Sequence, residues 1–115
     1  MARGDSDFAN RIADRLVAMG PVRARRMFGG HGIFLDGTMF GLVWRDRLYF
    51  KTGDANRKDY EKAGSQFFTY DRGTKRVSMS YMTVPDKVRE NGATLARWGE
   101  KALAVARDKK KKAKR

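Results

Sequence analysis

The only histidine of the chain, His31, lies inside a glycine run, Gly29-Gly30-His31-Gly32, and three arginines, Arg23, Arg25 and Arg26, stand just ahead of it. Glycines let a backbone approach a phosphate closely and guanidinium groups add charge-assisted donors, so a small phosphate ligand or a nucleotide could be held there. The run nonetheless lacks the Lys-Ser or Lys-Thr pair of a P-loop. It follows no predicted strand and leads into a strand, so it offers no helix N-terminus to an anion. The favoured reading is a tight glycine bend or bulge entering the first strand, with Phe28 packed beneath it and His31 a surface or partly buried turn residue. A Ser-His-acid triad would have to use His31, and no Gly-x-Ser-x-Gly elbow accompanies it. With no cysteine in the chain, a metal site would need His31 together with carboxylates such as Asp36, and no second histidine or acid cluster sits at ligand spacing. No catalytic residue, metal or cofactor is assigned, and no enzyme activity is expected.

The remaining chemistry is electrostatic. The chain carries 26 Lys and Arg against 13 Asp and Glu, a formal charge of +13. From Arg107 onward there are seven basic residues and one acid, Asp108, while the preceding 106 residues still hold +7. Either part attracts a polyanion. The candidate nucleic-acid contacts are therefore Arg23, Arg25 and Arg26 in the folded part and Lys109, Lys110, Lys111, Lys112, Lys114 and Arg115 in the tail. The competing reading of the tail is a solvated, solubilising end.

These residues need elements to position them. Phe8, Ile12 and Leu16, with Ala9, Ala13 and Met19, recur at helical spacing, which predicts an amphipathic helix from about Asp7 to Met19, capped by Asp5 or Ser6 and stopped by Gly20-Pro21. A basic connector, residues 22–26, leads to three strands in a meander. These are residues 33–35, the turn Asp36-Gly37, residues 38–44, the turn Arg45-Asp46-Arg47, and residues 48–51. Residues 54–64 read as a short polar helix capped by Asp54 and closed by Gly64, with Ala55, Tyr60 and Ala63 facing inward. Strands at 66–70 and 77–84 follow, then a single helical turn at 86–90 and a terminal helix from Ala93 or Thr94 whose apolar side is formed by Leu95, Trp98, Ala102, Leu103, Val105 and Ala106. The expected fold is α+β: helix, three-strand meander, helix, two strands and terminal helix around a five-stranded antiparallel sheet.

Nine aromatic residues, among them Tyr49-Phe50 and Phe67-Phe68, fall on the predicted strands. Consecutive pairs place one ring on each sheet face, and sheet-borne rings beside arginines can stack single-stranded bases. Without an RNP-type signature, an exposed aromatic face is read first as a dimer seam. The length predicts one domain, residues 1–106, followed by a basic, disordered tail, residues 107–115. The absence of cysteine fits a reducing cytoplasm, and no apolar run approaches the ~20 residues of a bilayer crossing.

Arg25-Arg26-Met27-Phe28-Gly29-Gly30-His31-Gly32-Ile33-Phe34, then Gly37-Thr38-Met39-Phe40, Leu48-Tyr49-Phe50-Lys51, Phe67-Thr69-Tyr70 and Ser80-Tyr81 through Val84-Pro85, resemble the TfoX amino-terminal domain family from about Phe8 to Ala106. In that motif Met27, Phe28, Gly29, Gly30, Gly32 and Phe34 are read as structural. The resemblance implies a non-catalytic regulatory domain. The family includes regulators of natural competence that promote transcription of DNA-uptake genes together with a cyclic-AMP receptor protein, on a fold similar to secretion-chaperone-like domains that pair into dimers. Its implied partners are a second copy, a regulator or transcription-machinery protein, and non-specific nucleic acid, with no membrane. The longer regulators carry a second, helix-rich carboxy-terminal domain, at whose place this sequence has Lys109-Lys110-Lys111-Lys112-Ala113-Lys114-Arg115. Two alternatives stand beside this reading: a small phosphate-ligand or nucleotide-binding domain at the glycine bend, and a purely structural, chaperone-like dimer.

Overall fold

Residues 2–27 and 29–113 are described by a computed structural model, so Phe28, Lys114 and Arg115 lie outside the described residues. So do the side chains of Lys109, Lys110, Lys111 and Lys112. The α+β class is as expected, with four helices on an antiparallel sheet. Helix α1 (Ala2–Arg15) starts earlier than its apolar spacing suggested, which puts Asp5 and Ser6 within it instead of at its cap. It buries Ala9 and Ile12, and Leu16, just past its end, is buried as well. The Leu16 N–H donates to both Ile12 and Ala13 carbonyls at 3.1 Å, which tightens the chain into a 3-10 turn, Val17–Met19, before Gly20 reverses it at φ 131°.

The sheet has six strands where five were expected: β1 (Arg23–Met27), β2 (Gly30–Leu35), β3 (Thr38–Trp44), β4 (Arg47–Lys51), β5 (Phe67–Arg72) and β6 (Lys75–Thr83), in the order β1-β2-β3-β4-β6-β5. The additional strand is the basic connector. Only Ala24 of β1 packs into the core, so three arginines in five residues hid the period-two signal, while charges of this kind guard an exposed edge. β1 pairs β2 from Arg23↔Phe34 to Met27↔Gly30. That pairing corrects the placement of His31, which is a strand residue 6% exposed and not a turn residue. The expected hairpin turn Asp36-Gly37 is present, with φ of 49° and 79°, and Arg45-Asp46 makes the same kind of turn at 50° and 61°.

Between β4 and β5, Asp54 lies in a turn and helix α2 is confined to Arg57–Lys62. Buried Asn56 accepts from the Gly53 N–H at 2.8 Å and donates to the Lys51 carbonyl at 3.0 Å, locking the exit from β4. Of the three residues expected to face inward, Tyr60 is buried, whereas Ala55 and Ala63 are exposed. After β6 comes α3 (Asp86–Glu90), and α4 (Gly92–Ala113) is capped by Asn91, whose side chain accepts from the Thr94 N–H at 3.0 Å. The helical backbone of α4 takes in most of the segment read as a tail. Among the described residues no helix is long and apolar enough to cross a membrane.

One core lies between the helices and one sheet face: Ile33, Phe40, Val43 and Phe50 from strands, Ile12 and Leu16 from the first helical segment, Leu95, Ala102 and Leu103 from α4. Phe40 and Phe50 meet at 5.8 Å, and Tyr60 meets Trp98 edge-on at 4.6 Å. The Tyr60 hydroxyl is buried without a protein hydrogen-bond partner. Burial first, and the Asp59 carboxylate second, push its pKa above the ordinary value. Because an unsatisfied buried hydroxyl costs about 1–3 kcal/mol, Tyr60→Phe is expected to leave stability unchanged or to raise it. A urea midpoint that falls instead would show that the hydroxyl has a stabilising partner.

Candidate functional site

The other face of the sheet carries no helix and shields itself. Leu42, Tyr49, Phe68 and Tyr81 form a second apolar cluster, with Met39, Trp44 and Met79 packed over it. Phe68 is its centre: Tyr49 lies edge-on at 5.1 Å, Trp44 edge-on at 5.9 Å and Tyr70 stacked at 6.1 Å. The split expected of Tyr49-Phe50 is present, with Tyr49 here and Phe50 in the main core. Cations cap the rings. The Arg45 guanidinium lies 5.6 Å from the Trp44 ring centre and the Lys51 ammonium 5.1 Å from that of Tyr81. The Tyr81 hydroxyl reaches the Met39 carbonyl only at 3.5 Å, and burial pushes its pKa up to about 12.

The glycines of the motif serve this face. A Cβ at Gly30 would collide with the Val43 carbonyl and lie 3.0 Å from the Trp44 ring; one at Gly32 would lie 2.6 Å from the Phe34 ring and 2.8 Å from the Met27 sulfur. Strand β2 is thus bare so that Met27, Phe34 and Trp44 can lie flat across it. An open recess of ≈ 240 Å³ is bounded by Pro21, Arg23, Phe34, Asp36 and Gly37, and neither His31 nor the glycine run lines it.

Strand alternation assigns the charges. On the helix-free face β1 presents Arg23 and Arg25, β4 presents Arg47 and Lys51 beside Tyr49, and β5 and β6 present Arg72 and Lys75 beyond Phe68 and Tyr70. No strand position on that face holds Asp or Glu. Arg26, paired with His31, belongs to the opposite face and is separated from the other two arginines. The start of the lysine-rich segment comes close to the recess, where Arg107 pairs with Asp36 at 3.9 Å. Sequence reasoning missed Arg47, Lys51, Arg72 and Lys75. Their signal was present as Arg47-x-Tyr49-x-Lys51 and Phe68-x-Tyr70-x-Arg72, ring and cation alternating at the strand period.

The sequence model of the TfoX N-terminal domain matches residues 14–106. DNA transformation protein TfoX1 of Aliivibrio fischeri (strain ATCC 700601 / ES114) is 28% identical over 102 residues, covering 89% of this chain and 49% of that protein. Protein Sxy of Escherichia coli (strain K12) is 24% identical over 91 residues, covering 79% of this chain and 44% of its own length. The chain therefore spans about half the length of the curated relatives it matches.

Two outcomes follow from this packing. Gly30→Ala is expected to lower stability by about 1–3 kcal/mol through overpacking, whereas Gly92→Ala, with nothing near its Cβ, is expected to be nearly neutral; equal midpoints for the two in urea would contradict the account. For Tyr81, the folded state holds the proton more tightly than the unfolded chain, with its pKa raised from 10.0 to about 12. Its contribution is complete below pH 10 and is lost as pH climbs from 10 towards 12. Thermal melts across that window should fall less steeply for Tyr81→Phe than for the wild type, and parallel curves would refute the assignment.

Proposed function

We propose, from the premise that the chain belongs to the TfoX N-terminal domain family, that it is a cytoplasmic, non-catalytic regulatory interaction domain whose helix-free sheet face holds the phosphate backbone of a nucleic acid. The observation that carries this is the charge of that face: Arg23, Arg25, Arg47, Lys51, Arg72 and Lys75 without one acid among the strand positions. A field of one sign over a partly apolar surface suits a polyanion. The printed name of one relative, DNA transformation protein, agrees with a nucleic-acid setting.

The same charge weighs against this face as a dimer seam, the first reading of its aromatic residues. Two copies face to face would oppose six cations with six, and like charges across a seam are repulsive. Pairing into a homodimer, or with a regulator protein, would then use another surface, and sizing of the same samples reads that directly.

Fluorescence anisotropy of labelled duplex DNA across a salt series tests the reading. Log affinity should fall linearly with log salt, by about 0.9 per phosphate contact, and Arg23→Ala/Arg25→Ala should flatten that slope by about two contacts. Binding indifferent to salt, an unchanged slope in the variant, or no binding would each overturn it.

A further inference from the structure

Strand β6 outruns its neighbour. It pairs β4 only from Tyr49↔Thr83 to Lys51↔Tyr81, and Ser80 closes that edge by accepting from the Thr52 N–H at 2.8 Å. Beyond Ser80, β5 is the one strand beside it. Residues 69–76 are all exposed, and the two strands turn at Gly73, φ 64°. A two-stranded ribbon therefore extends past the end of β4. It holds itself without a core of its own, through the Phe68–Tyr70 stack at its base and the Asp71–Arg76 ion pair across it at 3.3 Å.

Its faces differ in chemistry. Tyr70, Arg72, Lys75 and Val77 continue the cationic face of the sheet, while Thr69, Asp71, Arg76 and Ser78 form a polar side. The single acid, Asp71, is already engaged by Arg76. That leaves Arg72 and Lys75, paired directly across the turn, as the charges at the tip.

Four residue pairs at ~3.3 Å per residue give the ribbon a reach of roughly 13 Å. The major groove of B-DNA is ~8.5 Å deep and ~12 Å wide and admits a two-stranded ribbon without deforming the duplex, whereas the minor groove, at ~6 Å, must be widened or bent open to take one. The deep, narrow major groove of double-stranded RNA excludes it. Resting on the nucleic-acid reading above, we infer that the β5–β6 ribbon enters the major groove of duplex DNA, with Arg72 and Lys75 meeting phosphates or guanine edges there.

Dimethyl sulfate probing of a duplex saturated with the full chain, together with anisotropy, tests this. Guanine N7, which faces the major groove, should be protected by the wild type. Arg72→Ala/Lys75→Ala should abolish that protection and weaken duplex binding about tenfold or more, with an unchanged melting temperature because both side chains are exposed. Protection of adenine N3, on the minor-groove side, overturns the inference. So does N7 protection retained in the double variant, or duplex affinity that is unchanged in it while Arg23→Ala/Arg25→Ala still weakens binding; those results leave the nucleic-acid reading standing. No binding of any nucleic acid by the wild type would remove both.

Discussion

The packing of this protein turns on a mismatch between a two-faced sheet and helices that cover one face. Helices α1, α3 and α4 build the main core with Phe40, Phe50, Ile33 and Val43. On the other side Leu42, Tyr49, Phe68 and Tyr81 must be kept from water by the sheet's own side chains. Exposing them would forfeit most of the ~1.5–3 kcal/mol that burying a large apolar side chain contributes. The solution is to lay long, adaptable groups flat. Methionines and Trp44 pack over the cluster, the Arg45 guanidinium and the Lys51 ammonium lie over the Trp44 and Tyr81 rings, and Gly30 and Gly32 give up their side chains to make room.

Shielding and electrostatics are thereby joined. An arginine or lysine whose charged head lies over a ring shields that ring and keeps its charge, so each residue recruited in this way also adds to a cationic field. Cation–π contacts hold Arg45 and Lys51 in place, which lowers the entropy lost when a polyanion engages them. On the proposed reading, Lys51 serves both purposes, shielding the Tyr81 ring and adding to the cationic face. The glycine run, so suggestive of a phosphate cradle, has a packing role in the structure.

Local signals in the sequence carried most of the architecture. The spacing of Ile12 and Leu16, the Asp36-Gly37 turn, the opposed rings of Tyr49 and Phe50 and the single helical turn after Pro85 each depend on neighbours in the chain, and each is present. What escaped depends on pairing between distant segments. Arg23, Arg25 and Arg26 mask β1 because an edge strand needs little apolar character. His31 becomes buried only once β1 lies beside β2. The cationic face was half legible: ring–cation alternation marks β4 and β5 separately, but only the order β4-β6-β5 brings them onto one surface, and only the pairing Arg26↔His31 turns Arg26 to the other face.

Amide chemical-shift mapping of the labelled chain during titration with a short DNA duplex tests the central claim most directly. The account predicts shifts confined to residues 23–25, 45–51 and 70–75, with little change at Arg11, Lys62 and Lys101 among the helices. Shifts gathered on the helices, or spread evenly over every exposed cation, would contradict it.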